Sequence, residues 1–310
     1  MTHPFHIPEG LIRTNTEQRG PEVAQWVRNL PAILAECERR WSLRLAPPFP
    51  QLSYNYAAPA QREDGSSLVV KVSFPGKDFK GELEALRVYD GRGAVRLLDF
   101  DVDLGVMLLE RLEPGTVLVT LEDDVEATSV AASVMNRIRR RAPADHAFPT
   151  VADWVHNMGR LRDCFGGGTG PFPTKLVEEA ESLFSDLLGS MGEPVVLHGD
   201  LHHFNILSAK REPWLAIDPQ GVVGEAEYET GALLRNPTPD MYGWPNLDRL
   251  LARRMDQLAE ELGFDRERIR GWAVAQAVLS VWWYFEDTCE TASNEWKPAM
   301  QLAEVMATVR

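Results

Sequence analysis

Residues 195–221, VVLHGDLHHFNILSAKREPWLAIDPQG, gather the side chains best suited to handling a hydroxyl beside a phosphate. An apolar run delivers His198, Gly199 and Asp200. Asn205 follows five residues after Asp200, and a second apolar run delivers Asp218 thirteen residues after Asn205. The two runs predict short strands, so three oxygen-bearing side chains leave neighbouring strand ends together. Mg2+ takes carboxylate and amide oxygens and shares its shell with nucleotide phosphates, which suits Asn205 and Asp218. Asp200 is left to accept a hydroxyl proton or to aim that hydroxyl for in-line attack, a role generally worth about 10² to 10⁴ in rate. The pattern points to phosphoryl transfer.

Simpler readings compete. Gly-Asp and Asp-Pro dipeptides also end strands as plain turns, but the joint spacing of all three residues argues against that. His198 and His202 stand four apart, a zinc spacing only on a helix, and this segment leaves a strand. Acidic residues from Asp99 to Glu110 mimic a calcium loop, yet Leu104 occupies the position where the sharp turn needs glycine, so a hairpin turn is expected. Arg137, Arg139, Arg140 and Arg141 sit at a predicted helix C-terminus, where they complement its dipole. The glycines of residues 166–170 lack a preceding strand and read as a link, and no G-x-x-x-x-G-K-[ST] loop occurs.

The elements that must position this chemistry fall into two kinds. Residues 21–41 carry apolar side chains at three- and four-residue steps and predict a helix, with Pro31 expected to break or kink it. Residues 52–56, 67–74, 94–100 and 105–111 predict strands of a mainly antiparallel sheet, interrupted by a helix over residues 78–89. Beyond Glu113-Pro114-Gly115 the text becomes helical, with helices over residues 122–141, 151–164, 174–191, 248–262, 266–288 and 294–308. Strands at 194–197 and 214–217 bracket the polar segment.

The whole chain has 310 residues, and its 32 Lys+Arg against 46 Asp+Glu give a formal charge of −14. That length suggests two lobes, and the acidic balance argues against nucleic-acid phosphates or an anionic membrane as partners while favouring a cationic ligand. Cys37, Cys164 and Cys289 form no C-x-x-C pair, so neither a zinc module nor a disulfide framework is expected, and a reducing compartment is. The opening MTHPFHIPEG has no apolar leader core, and no run approaches the roughly 18 apolar residues of a membrane span. The expected location is cytoplasmic.

HGDLHHFN with IDPQG closely resembles the aminoglycoside and hydroxyurea resistance kinases, whose streptomycin-kinase-like branch has the protein-kinase-like fold. The resemblance implies Asp200 as catalytic base, Asn205 and Asp218 as metal ligands, and His198 as the residue that packs and orients the loop. Val69-Val70-Lys71-Val72 resembles the strand whose lysine holds the α- and β-phosphates. Glu82, in ELEALR, is its implied helical partner, with Glu84 the competitor. Leu109-Glu110-Arg111-Leu112 resembles the hinge where backbone groups meet adenine. Residues 224–225, 233–237, 276–280, 282–283 and 286–287 also read like that branch, so the likeness covers about residues 50–290.

Departures from the family text are specific. The nucleotide-covering loop between Tyr56 and Ser67 holds one glycine, which leaves Ser53, Tyr54 or Asn55 as phosphate contacts. Asp218-Pro219-Gln220 stands in place of the protein-kinase DFG, and neither H-R-D nor A-P-E occurs, which argues against a protein substrate. Trp282, Trp283, Tyr284 and Phe285 are mainly helix packing, because consecutive residues point to different sides. The functional alternative lines a pocket with Trp282 or Trp283 and draws a cation with Glu286 or Asp287, helped by Glu225 and Asp240.

The fold class expected is therefore α+β, a two-lobed protein-kinase-like fold. Residues 1–112 form a sheet-rich nucleotide-binding N-lobe with a leading helix. Residues 113–310 form a helical C-lobe with the catalytic loop and substrate pocket. ATP and Mg2+ are the implied cofactors, with ATP held between the lobes. The acceptor is a small, cationic or polar molecule with a hydroxyl, such as streptomycin, another aminocyclitol or hydroxyurea, or another small metabolite. The rivals are a non-catalytic nucleotide-binding scaffold, a protein kinase and a metal-dependent phosphoester hydrolase.

Overall fold

A computed structural model describes residues 5–50, 52–285 and 294–309. The chain divides into two compact units, Met1–Gly115 and Thr116–Arg310.

The first unit runs α1 (Glu9–Gln18), α2 (Pro21–Trp41), β1 (Leu43–Leu45), β2 (Tyr56–Arg62), β3 (Ser67–Val72), α3 (Lys77–Tyr89), β4 (Leu97–Asp101) and β5 (Val106–Glu110). Its strands form one antiparallel sheet in the order β1-β2-β3-β5-β4. Strand alternation sorts the sheet into two faces. Tyr56, Ala58 and Ala60, Leu68, Val70 and Val72, and Val106 and Leu108 are buried in one cluster with Leu11 of α1 and Trp26, Leu30 and Leu34 of α2. Lys71, between Val70 and Val72, is thereby turned to the opposite face.

Several expectations are corrected here. Pro31 does not break α2, which continues from Pro21 to Trp41; burial of Val27, Leu30 and Leu34 on both sides of the proline offsets the backbone hydrogen bond it forgoes. The strand expected at residues 52–56 starts at Tyr56 and runs to Arg62. Pro59 disguised it, but Pro59 lies just past the last β1 pair, Leu45 with Ala60, so its missing N–H costs the ladder little. The covering loop expected across residues 57–66 is consequently a β2–β3 hairpin closed by residues 63–66, with Gly65 at φ +84°. Helix α1 had no counterpart in the sequence reading. Its Asn15 donates through Nδ2 to the carbonyls of Ser53 (2.9 Å) and Tyr54 (3.1 Å) and so holds that segment.

Strand β6 (Pro114–Val117) spans the boundary, and the second unit continues with α4 (Asp124–Ile138), β7 (Arg140–Arg141), α5 (Val151–Cys164), α6 (Thr174–Gly189), β8 (Val195–Leu197), β9 (Ile206–Ala209) and β10 (Trp214–Ala216). It closes with β11 (Val222–Gly224), α7 (Thr230–Leu234), α8 (Leu247–Leu262), α9 (Arg266–Trp283) and α10 (Lys297–Thr308). Helix α9 is buried almost all round, from Ile269 through Trp282, as a helix apolar on every side must be. It packs with α6, α7, α8 and α10. Two small sheets, β10-β9-β6 and β11-β8-β7, carry the polar segment.

The helix expected over residues 122–141 ends at Ile138, and Arg140 and Arg141 pair with Val196 and Val195 of β8. The arginine cluster is therefore split: Arg137 caps into Glu212 (2.7 Å) and the Trp214 carbonyl (2.9 Å), while its neighbours serve a sheet edge. Cys37 is free and buried, with burial pushing its thiol up to about 12, whereas Cys164 is disulfide-bonded, against the expectation of unpaired thiols. Among the described residues no helix is long and apolar enough to cross a membrane.

Candidate active site

The loop after β8 is fixed through its backbone. Glu229, buried just before α7, accepts the His198 N–H at 2.6 Å through Oε2 and the Gly199 N–H at 3.0 Å through Oε1. Burial pushes this carboxyl up to about 7, against the pull of those amides. Gly199 has φ +83°, and a Cβ there would lie 2.9 Å from Trp154 and 3.1 Å from Val222. Only glycine takes both the turn and the contact.

His198 ties the loop to the strand that precedes Asp218. Its Nδ1 accepts the Asp200 amide (3.3 Å), so Nε2 carries the proton and donates to the Ile217 carbonyl at 2.7 Å. Burial lowers its pKa to about 4, and the ring is neutral. Three further bonds complete the knot: Asn205 Nδ2 to the Asp200 carbonyl (2.9 Å), the Ile217 amide to the Asn205 carbonyl (2.9 Å), and the Gln220 amide to the His198 carbonyl (2.8 Å). Asn205 and Asp218 are thus brought to one end of the β9–β10 hairpin, Asp218 exposed and at φ +58°.

Asp200 is held by two side chains. Arg235 Nη2 donates to Oδ1 at 2.7 Å, and His202 Nε2 lies 3.3 Å from Oδ2. Burial works to raise the Asp200 pKa, but the His202 hydrogen bond and the Arg235 charge outweigh it and hold the carboxyl well below the usual carboxylate range. Asp200 is an anion at any physiological pH.

The donor set at Asn205 and Asp218 fits a hard divalent cation. With Nδ2 of Asn205 spent on the Asp200 carbonyl, its Oδ1 is the atom left to face a metal, and the carboxylate of Asp218 follows across the hairpin end. For zinc the chemistry is wrong: among the described residues no three His, Cys, Asp or Glu side chains converge.

In the first unit, Lys71 Nζ and Glu82 Oε1 are 2.6 Å apart and both buried. Glu84 instead pairs with Arg87 at 2.8 Å on the surface of α3. Of the hinge residues, Glu110 ends β5 and exchanges bonds with Arg96, its amide donating to the Arg96 carbonyl (2.9 Å) and its Oε2 accepting the Arg96 amide (3.2 Å). Arg111 stands 3.8 Å from Glu113, and Leu112 follows β5 in the link to β6.

The residues expected to meet an acceptor separate. Glu225 is buried, taking Arg268 Nη2 at 2.6 Å and Trp272 Nε1 at 2.8 Å; its charge is spent inside the unit, which corrects its placement in a substrate field. Trp282 is fully buried against Phe165, so it packs the core and lines no surface. Trp283 is only half-buried and meets Trp154 edge-on, ring centroids 5.4 Å apart, beside the Gly199 turn. Glu286 and Asp287 lie outside the described residues. Two functional candidates escaped the sequence reading. Arg235 stood in the LLRNP text without a role, and nothing in the alternation of Glu225, Glu227 and Glu229 singles out the last.

The family profile described as aminoglycoside/hydroxyurea antibiotic resistance kinase matches residues 53–288. Streptomycin 6-kinase of Streptomyces griseus is 33% identical over 290 residues, spanning 91% of this chain and 92% of that enzyme. Hydroxyurea phosphotransferase of Kitasatospora aureofaciens is 33% identical over 291 residues, spanning 91% and 81%. Among solved structures, aminoglycoside phosphotransferase APH(4)-Ia in ternary complex with ADP and hygromycin B superposes with a TM-score of 0.61 at 13% identity, over 89% of this chain and 96% of that one. That likeness shows the α+β protein-kinase-like fold.

Proposed function

Since the chain belongs to the aminoglycoside/hydroxyurea antibiotic resistance kinase family of small-molecule phosphotransferases, we propose that it moves the γ-phosphoryl group of ATP to a hydroxyl of an aminocyclitol of the streptomycin type. Hydroxyurea is the second acceptor to test, because a hydroxyurea phosphotransferase is as similar to this chain as a streptomycin kinase. The observation that carries the reading is the loop in which Asp200, Asn205 and the strand before Asp218 are bonded to one another.

In this reading Asp200 receives the proton of the acceptor hydroxyl while the new O–P bond forms and the bond to the β-phosphate oxygen breaks, releasing ADP. The transition state is loose, so position and charge supply most of the acceleration, and a weakly basic carboxylate suffices. Lys71, aimed by Glu82, holds the α- and β-phosphates, and backbone groups of residues 109–112 take adenine. Asn205 and Asp218 hold Mg2+, which when bound spreads the charge of the phosphate oxygens. His198 keeps the loop in register, and Trp283 is the aromatic of its pair that stays open to an acceptor. Use of ATP as donor supports a cytoplasmic setting for this activity.

Screening a panel of hydroxyl-bearing compounds with ATP by mass spectrometry, with Asp200→Ala as the control, tests this. A phosphorylated aminocyclitol formed only by the unmodified chain is expected. Equal product from Asp200→Ala removes the catalytic assignment, and Mg·ATP binding without product from any acceptor leaves a nucleotide-binding scaffold.

A further inference from the structure

We propose that Arg254 is a positioning residue for phosphoryl transfer: buried under the end of α7, it fixes the Arg235 guanidinium on the Asp200 carboxylate. The inference rests on the reading of Asp200 as proton acceptor.

Helix α7 is five residues long and grips the loop from both ends. Glu229, before its first residue, holds the His198 and Gly199 amides, and Arg235, after its last, holds the Asp200 side chain. The last carbonyls of a helix lack partners within it and need them from outside. Here the Asn236 amide takes the Leu233 carbonyl at 3.1 Å, and Arg254 Nη1 adds a second donor to it at 3.3 Å while donating to the carbonyl of Asn236, two residues past the helix, at 2.7 Å. Those two carbonyls bracket Arg235. A positive charge at a helix C-terminus also favours the dipole.

The same guanidinium faces the loop. Its Nη2 is 3.5 Å from Nε2 of His203, which lies between Asp200 and Asn205. Arg254 is 0% exposed, so its charge needs an anion, and Asp124 at the start of α4 provides one, accepting Nε at 3.0 Å and also Nη2. Arg253 joins Asp124 from the outer side. One planar fork thus joins the segment carrying Arg235, the loop carrying Asp200, and an anchoring carboxylate. Lysine, a single point charge, cannot reach all three at once. Neither Arg254 nor Asp124 meets Asp200 itself.

A double-mutant cycle on the full chain tests the proposal, comparing the unmodified protein, Arg254→Lys, Arg235→Gln and the double variant. Readouts are kcat and KM with the acceptor found by the panel, and thermal unfolding. Arg254→Lys is expected to lower kcat about tenfold with an unchanged KM for ATP, and to add nothing to the loss of kcat already caused by Arg235→Gln. Its loss of Tm should be similar in both backgrounds. Losses of kcat that multiply overturn the proposal. A crystal structure of Arg254→Lys gives a readout independent of turnover. Arg235 should leave Asp200 beyond hydrogen-bond reach, about 3.5 Å; a pair retained at 2.7 Å overturns the proposal, whereas a displaced pair in a chain that phosphorylates nothing overturns only the functional reading. Should Arg254→Lys not fold, Asp124→Asn replaces it in the cycle and the crystal, with a smaller effect of the same sign expected and an unchanged kcat and Arg235–Asp200 distance counting against the idea.

Discussion

Glu229 Oε2 accepts the backbone N–H of His198 at 2.6 Å across 31 residues of sequence, and both residues are buried. A carboxylate in that place offers two acceptors to two amides. A carboxylic acid offers one acceptor and turns a donor toward the second amide.

Glu229 therefore sets opposite pH trends for stability and for activity. Burial raises its pKa from an ordinary 4.5 to about 7, so the folded state binds this proton more tightly than the unfolded one. The stability it lends is fully present below about pH 4.5 and is lost as pH rises through 7. The shift corresponds to roughly 3 kcal/mol. Activity should move the other way, rising as the carboxylate forms and takes both amides. Glu229→Gln should flatten the Tm-against-pH curve between these limits, lower kcat about 100-fold and leave the KM for ATP near its original value. A pH-rate limb near 7 that persists in the Gln variant assigns the titration to another group.

The Lys71–Glu82 pair yields a test on stability as well as on catalysis. Both side chains are buried, 2.6 Å apart. Removing one partner of a buried ion pair typically costs about 3–5 kcal/mol, whereas removing both is often near neutral. Glu82→Gln and Lys71→Met should each lower Tm, and the double variant should recover most of that loss. Activity should not recover if Lys71 holds the phosphates as proposed. Recovery of kcat/KM for ATP in the double variant removes Lys71 from the nucleotide site.

What could be read from the sequence depended on distance along the chain. His198, Asp200, Asn205 and Asp218 stand within about twenty residues, and the strands that carry them announce themselves as apolar runs, so their convergence follows from local rules. Lys71 and Glu82 were implied by the resemblance of VVKV and ELEALR to a strand and a helix of the family. Glu229, Arg235 and Arg254 act across tens of residues on backbone amides, a carboxylate and helix-end carbonyls. Their types are those of ordinary surface residues, and only the tertiary fold tells them apart. The same holds for Glu225, whose acidity suggested a ligand until Arg268 and Trp272 were found on its oxygens. Local rules failed at prolines: Pro31 and Pro59 both sit inside regular elements, because packing by Leu30 and Leu34 at one and the end of β1 at the other outweigh their intrinsic cost.

Metal dependence separates the roles of Asn205 and Asp218. Asp218→Asn removes a charge but keeps an oxygen, and should raise the Mg2+ concentration for half-maximal activity at least about tenfold, with partial rescue by Mn2+, which binds such oxygen sites more tightly. Asn205→Ala removes both the oxygen proposed to meet the metal and the Nδ2 bond to the Asp200 carbonyl. It should therefore lower kcat even at saturating Mg2+. Titrations of initial rate against each metal check this, and a Mg2+ curve unaltered by Asp218→Asn counts against its place in the metal shell.

Gly199 offers the last prediction because two physical costs act on it together. Its φ of +83° is unfavourable for any residue with a Cβ, and that Cβ would also stand 2.9 Å from Trp154 and 3.1 Å from Val222. Gly199→Ala should lose on the order of 2–3 kcal/mol of stability, the sum of a strained dihedral and an overpacked turn. The two are separable: Trp154→Phe opens the crowded side without touching the backbone. In a Trp154→Phe background the alanine should cost less but still more than about 1 kcal/mol, since the dihedral strain remains. Full restoration of Tm there shows that crowding alone had mattered. Because the His198 and Gly199 amides are the pair Glu229 holds, the alanine should also lower kcat at temperatures where the variant is fully folded, and that decrease should persist in the Trp154→Phe background.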